Sequence, residues 1–425
     1  MTTFAPYATA ARDVLDPAHL RTALRTTPAD STLAAAVRCG LAVALALAVC
    51  ALAGHRDVAG FAALAALVSL YGRWEPYRWR GTLLAVVGAW LVAVVVLSSA
   101  VAVLAAPAAV TVLLAAAVAT ATAVLCGVLR TGAPGATIAV FCVGAGLAGA
   151  PTGGDVGRRA LAALVGAALA WLVCCAGRVL HPAGPARVAL RRAVRAVEQA
   201  DDTPAAHARA LAALGRAREV LGDDASHPRG RVATAALVAE LAPLTARLGV
   251  PDEPLPGRRS LVTDVRDGAR VLDARGLLRL LVAGLVAGGA AHGLGWSHSA
   301  WAVMGSTATL QGSSTGHAVV RGAQRAAGTA VGALVAWPLL AAHLDFWAVA
   351  ALVVALQLVT ETIVMRHYGL AMLTITPMAL LMTSLGGPAG PTDLTLTRAL
   401  DTVLGAVVAL AALVVLPHRE RPRTQ

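Results

Sequence analysis

Asp401 stands one turn inside the last long apolar stretch of this chain, three residues after Arg398. Their i, i+3 spacing puts both on one helix face. A charge at mid-bilayer costs roughly 2.5–3.5 kcal/mol on insertion scales, so each needs a reason to be there. One reason is a local ion pair that fixes a helix end. The other is chemistry, with Asp401 carrying a coupling proton or joining an anion-binding network. Glu361, within Thr360-Glu361-Thr362, poses the same choice. Arg366 is five residues on and misses the i, i+4 position, which leaves Glu361 either as an interfacial side chain reaching for water or as a proton relay or gating contact.

Other polar residues in apolar surroundings could line a path. Trp301, Thr307 and Gln311 belong to a short polar helix that runs into Gly312-Ser-Ser-Thr-Gly316. Such side chains either hydrogen-bond neighbouring helices or face a substrate. Arg321 and Arg325 follow at i, i+4, and a helix start with arginines attracts carboxylates. Topological signalling by positive charge explains them equally well. Thr374-Ile-Thr376-Pro377 interrupts another span, where proline frees a carbonyl that the threonines can satisfy unless they face a pore. Gly328, Gly332 and Gly405 read as close-packing positions between helices.

The remaining chemistry-bearing types exclude more than they suggest. The six cysteines lie in or beside apolar runs, without metal spacing to histidine, and read as small core residues. His292, His298, His317 and His343 show no metal-ligand pattern either, and Trp296, Trp301 and Trp347 sit at span ends as an aromatic belt would. No phosphate-binding glycine loop, Ser/His/Asp order or redox motif occurs. The expectation is a protein that is not an enzyme and needs no metal or cofactor.

The elements that hold these residues are membrane helices. The chain has 425 residues, 58% of them hydrophobic and only 14% charged, with a mean hydropathy of +0.71. A globular protein carries about 25% charged residues. Apolar stretches near the ~20 residues that cross a bilayer recur along it. Six fall at 34–53, 58–72, 81–99, 108–129, 135–150 and 158–180, and six more at 277–294, 299–313, 325–342, 346–365, 368–386 and 397–416. The net charge of +12 comes from arginine alone. The arginines cluster at helix ends rather than in one patch, so topology explains them and a nucleic-acid partner is not expected. They favour both termini in the cytoplasm, with Arg158-Arg159 the exception. No signal peptide is read in the polar residues 1–30.

Residues 183–275 differ: 15 arginines and 12 acids occur there. Val188, Leu190, Val194 and Val197 form one helical stripe, and Leu211, Leu214, Val220 and Leu221 another. The expected organisation is all-α and polytopic. An N-terminal cytoplasmic segment (1–33) leads into a first six-helix repeat (34–182). A small cytoplasmic helical domain (183–275) joins it to a second repeat (276–417), and a basic tail (418–425) ends the chain. The repeat expectation rests on two echoes. Residues 159–167 read RALAALVGA and 398–406 read RALDTVLGA, 239 positions later; Arg78-x-x-Gly81-Thr82 and Arg325-x-x-Gly328-Thr329 precede them in the same order. Two even-numbered repeats enter the membrane from the same side, so a path between the halves is expected. Asp401 has Ala162 as its counterpart.

The second block resembles the fusaric acid resistance family of inner-membrane proteins. Arg325-x-x-Gly328-Thr329-x-x-Gly332 is similar to its motif. Trp301, Glu361, Tyr368-Gly369, Thr376-Pro377 and Arg398-x-x-Asp401-Thr402-x-x-Gly405 resemble its other landmarks over residues 296–417. The resemblance implies a plasma-membrane transporter that exports aromatic or other organic carboxylates, driven by protons. Arg325 and Arg398 would attract the carboxylate, and Glu361 or Asp401 would carry protons. It is also similar to plant anion channels built from paired six-span units. A passive anion channel and a non-transporting membrane scaffold remain alternatives, and homo-oligomer formation and an adaptor subunit stay open.

Overall fold

The computed structural model describes residues 5–26, 33–201, 203–226, 228–251, 253–312, 314–385 and 390–417. The basic tail expected at 418–425 lies outside the described residues. Among those described there are helices and no strands. The first helices are α1 (Ala5–Val14), α2 (Ala18–Ala23), α3 (Leu33–Leu52), α4 (Ala59–Ala66, extended by a tighter turn at Leu67–Leu70), α5 (Tyr77–Val103), α6 (Ala108–Leu129), α7 (Thr137–Leu147) and α8 (Gly153–Leu180). A polar group follows: α9 (Gly184–Glu198), α10 (Pro204–Ala225), α11 (Pro228–Ala239), α12 (Leu241–Arg247) and α13 (Leu261–Arg270). Then come α14 (Ala274–Gly293), α15 (Ser299–Leu310), α16 (Thr315–Ala341), α17 (Phe346–Ile363), α18 (Tyr368–Ser384) and α19 (Pro391–Val415).

Seven of the described helices are long and apolar enough to cross a membrane: α3, α5, α6, α8, α14, α17 and α19. Twelve spans were expected. The other five stretches are helical too, and differ for physical reasons. At 1.5 Å per residue, α4, α7 and α15 fall well short of the ~30 Å hydrocarbon core. All eight residues of α4 and nine of the twelve in α15 are buried, so these short helices are wrapped by the long ones. α18 has 17 residues, and α16 has 27 but carries Arg321, Gln324 and Arg325 in its first half. The long helices turn large apolar side chains outward, such as Val96, Leu97, Leu161, Leu164 and Leu172. A surface of that kind is stable against lipid.

The packing pairs follow one plan in both blocks. α8 packs on α3, α4 and α5, and α19 on α14, α15 and α16. The blocks also exchange helices: α6 leans on α14, and α17 on α3. Small residues permit the close approaches. A Cβ at Gly166 would run into the Ala62 carbonyl, and one at Gly405 into that of Ala302. All six cysteines are free thiols, five of them buried.

Helices α9–α12 build a separate apolar core around Leu190, Val197, Leu214, Val220, Leu221 and Leu241. Leu211, read as part of that stripe, is 37% exposed instead. The Thr203 hydroxyl caps α10 by accepting from the Ala206 N–H, with Pro204 at the first helical position. The group docks on one end of the bundle through the segment after α4. Arg216 and Arg259 each approach Glu75 at 2.8 Å, and the Arg192 guanidinium lies 3.8 Å above the Trp74 ring. Half-buried Asp224 follows Asp223 at the end of α10. Burial first, and then the Asp223 charge, push the Asp224 carboxyl up to about 7.

Candidate functional site

A cavity of about 1300 Å³ opens at the end of the bundle where the α9–α12 group sits. It exceeds the ~300–1,000 Å³ of typical ligand pockets. Nine arginines and four acids line it among the described residues, which makes it a basic vestibule. Its deeper wall is apolar, with Leu67, Ile138, Phe141, Ile375 and Met378. The N-terminal segment, expected only as a cytoplasmic extension, folds over its mouth. His19, Thr22 and Arg25 line the rim, and the Gln324 amide donates to the Ala23 carbonyl at 2.8 Å.

Helix α16 brings the first arginines to the cavity. Ser314 caps it by accepting from the His317 N–H at 3.2 Å. Gly328 and Gly332 then let α16 lie against α18: a Cβ at Gly328 would come within 2.7 Å of the Met372 side chain, and one at Gly332 within 2.8 Å of the Met372 carbonyl. This contact explains the Arg-x-x-Gly-Thr-x-x-Gly spacing physically. One glycine step away from the seam, Arg325 donates to the Tyr368 hydroxyl at 2.6 Å. Arg321 stacks 4.3 Å over the same ring and donates to the Ala308 carbonyl at 2.7 Å. The Nε and Nη2 of buried Arg325 have no partner.

Behind the cavity wall lies Arg398, fully buried, with none of its three nitrogens hydrogen-bonded. Its guanidinium sits 5.1 Å from the Phe141 ring and 5.3 Å from the Trp301 ring. Asp401 is equally buried, and neither carboxylate oxygen has a partner. The local Arg398–Asp401 ion pair that the spacing allowed is therefore not formed. The hydroxyls of Thr307, Thr329 and Thr376 are also buried without partners, whereas Thr402 bonds back to the Arg398 carbonyl at 2.8 Å. Buried polar atoms are nearly always satisfied, and an unpartnered ion is the costliest exception. Here ten of the seventeen unsatisfied buried side-chain atoms among the described residues belong to these residues of α15, α16, α18 and α19.

Glu361 does not reach for water. It is buried, 2.5 Å from Arg73 of the first block, and accepts from the Gln357 amide at 3.3 Å. Arg73 belongs to the loop before α5 and reads in sequence as one more topological arginine; only the fold reveals it as the partner of an acid almost three hundred residues away. Phe141, Arg130 and the arginines of the α9–α13 segment carried no local signal either. Tyr368 was visible only as a landmark of the resemblance. Of the expected residues, Arg321, Arg325 and Glu361 line the cavity, while Trp301, Thr307, Thr376, Arg398 and Asp401 are buried in the helices around and behind it. Gln311 serves the fold: with its amide turned to satisfy both ends, it donates to the Pro134 carbonyl at 3.2 Å and accepts from the Ala136 N–H at 3.0 Å. No cluster of three or more metal-binding side chains occurs among the described residues.

Residues 285–412 match the family model described as fusaric acid resistance protein-like. The chain is also 31% identical over 147 residues to the uncharacterized membrane protein YvaC of Bacillus subtilis (strain 168). That match covers 34% of this chain and 23% of the relative, so the chain spans about a quarter of the relative's length. No solved structure matches it. Residues 285–412, which hold Arg325, Arg398 and Asp401, are thus similar to the fusaric acid resistance protein-like family, and the apolar helices make the chain a multi-pass membrane protein.

Proposed function

We propose that the protein exports organic carboxylates, aromatic ones among them, across the plasma membrane against exchange for protons. The observation that carries this reading is the set of five unpartnered guanidinium nitrogens on Arg325 and Arg398 beside a basic cavity. Leaving a buried cation without an acceptor costs several kcal/mol. A carboxylate supplies two acceptor oxygens in the geometry a guanidinium matches. The arginines of the vestibule would concentrate anions, and the Phe141 and Trp301 rings would flank the one that reaches Arg398.

Coupling follows from the pair that is not closed. Asp401 and the substrate carboxylate compete for Arg398. With the site empty, ionised Asp401 balances the guanidinium; when a carboxylate arrives, Asp401 gives up that role and takes a proton. Glu361 and Arg73 tie α17 to the first block and would open and close with the cavity. The reciprocal packing of α6 on α14 and α17 on α3 supports a duplicated unit with its axis along the membrane normal. In this reading the α9–α13 group and both termini face the cytoplasm.

Proteoliposomes with an imposed pH gradient and a panel of aromatic and aliphatic carboxylates test this. The wild type should accumulate one of them, Arg398→Gln should not, and Asp401→Asn should carry it only downhill. If Asp401→Asn and Glu361→Gln leave gradient-driven accumulation unchanged, coupling through these residues is wrong.

A further inference from the structure

A second, smaller cavity of about 230 Å³ lies where α10 and α13 meet the first turn of α5. It is below the ~300–1,000 Å³ that encloses a whole drug-sized ligand, so it suits a headgroup-sized guest. Its walls are unusual in what they leave unsatisfied. Trp79 is 3% exposed, and its indole N–H has no partner. The ring itself is held under the Arg259 guanidinium at 4.4 Å, and Arg259 is already committed to Glu75 and Asp264. The guanidinium groups of Arg78 and Arg258 also line the cavity and engage no acceptor among the described residues. Ser260 stands at the N-cap of α13, a ten-residue helix, yet its side chain caps nothing. The same cavity also holds an acceptor without a partner: the Oδ2 of Asp223 is buried and unbonded, while Oδ1 takes the Arg259 backbone N–H at 3.3 Å.

The position is that of a membrane surface. Tyr77–Val103 is one of the span-length helices, and Arg78 to Thr82 form its first turns. Thr82 and Val262 at the rim are exposed. Along α13, Val262 and Val265 are 77% and 42% exposed, next to Arg266 and Arg270. Its charges balance, with Asp264 bound to Arg259 and Asp267 to Arg270 at 3.4 Å, and exposed apolar residues beside charged ones on a short helix suit the interface between headgroups and acyl chains.

We propose that this cavity binds a phosphate ester bearing a hydroxyl, with the phosphate on Arg78, Arg258, the Trp79 N–H and the start of α13, and the hydroxyl on Asp223. A bare phosphate satisfies the donors but meets the Asp223 carboxylate unfavourably. An ester such as a glycerol phosphate satisfies both sides. The same chemistry is presented by a phosphatidylglycerol headgroup in the membrane and by a soluble phosphate ester.

Calorimetric titration of the delipidated full chain in detergent separates the sources. The probes are short-chain phosphatidylglycerol, glycerol phosphate, inorganic phosphate and short-chain diacylglycerol. Binding of phosphatidylglycerol alone assigns the lipid source; comparable binding of glycerol phosphate assigns the soluble one. In either case Arg258→Gln, in an exposed loop, should weaken binding about tenfold, the share of one hydrogen bond to a charged group. Trp79→Phe keeps the ring, removes the N–H and should weaken it by a smaller factor. Asp223→Asn should narrow the preference for the ester over inorganic phosphate. Binding that is unchanged by Arg258→Gln, equal for diacylglycerol, or absent for all three phosphate compounds overturns the proposal.

Discussion

Arg159 and Arg398 open the same nine-residue pattern and sit in neighbourhoods of the same plan. Each lies over an aromatic ring of the short helix packed beside it, Phe61 at 4.9 Å and Trp301 at 5.3 Å. Seven residues on, Gly166 and Gly405 press against the next residue of that short helix, Ala62 and Ala302. What differs is the acceptor. Arg159 donates to the Gly146 carbonyl at 2.9 Å and to that of Ala148 at 3.3 Å, at the end of α7. Arg398 has a second ring, Phe141, and no acceptor. The fold can therefore satisfy an arginine at this place, and in the first block does. The unpartnered state of Arg398 is not imposed by the scaffold, and Asp401, where the first block has Ala162, adds a second unpartnered ion beside it.

The sharpest way to break this comparison is to remove both arginines in turn. Arg398→Met should reduce carboxylate flux by about three orders of magnitude, the share of two charge-assisted hydrogen bonds. Its thermal stability in detergent should hold or rise, because a hydrophobe replaces an unpartnered buried charge. Arg159→Met should do the reverse, costing about 1–3 kcal/mol of stability through the lost carbonyl bonds while flux stays within roughly twofold. Equal behaviour of the two variants ends the distinction.

The next effect belongs to an acid that only one block owns. α17 carries Glu361, whereas α6 carries no acid; its buried Thr122 accepts from the Trp90 indole instead, at 2.8 Å. Breaking a buried pair by removing one partner costs roughly 3–5 kcal/mol. Glu361→Gln should lose stability on that scale, and adding Arg73→Gln should recover part of it in a double-mutant cycle. Additive losses would mean that the two side chains do not depend on each other.

Much of the scaffold was legible because hydropathy is a local property. The stretch 346–365 became Phe346–Ile363, and 397–416 became Pro391–Val415, the latter starting early because Pro391 suits a first turn. Arg325, Arg398, Asp401 and Glu361 were found because charge in an apolar run is costly wherever it occurs. Their partners were not legible. Arg73 looked like any loop arginine, and Phe141 like any apolar residue, since pairing across the chain leaves no trace in spacing. The i, i+3 reading of Arg398 and Asp401 named two outcomes, an ion pair or a working site, and rotamers in the packed bundle decided against the pair.

The glycines test what the two blocks share. Gly166→Ala and Gly405→Ala each drive a methyl into a neighbouring carbonyl, and overpacking of this kind costs about 1–3 kcal/mol. Similar losses in thermal unfolding are expected, because the approach of α8 to α4 repeats that of α19 to α15. A large loss at one site and none at the other would confine the likeness to sequence.

Asp401→Ala has the smallest expected effect on stability and makes the second copy match Ala162 of the first. Since neither oxygen of Asp401 has a partner, truncation removes desolvation cost as well as the attraction to Arg398, and the net change should stay within about 1 kcal/mol. A structural acid would behave otherwise, costing several kcal/mol when a satisfied ion is cut away. If transport survives in this variant but no longer responds to an imposed pH gradient, the acid was added to a working scaffold for coupling. Loss of folding would instead make Asp401 a packing residue, and the difference between the copies would then lie in structure rather than chemistry.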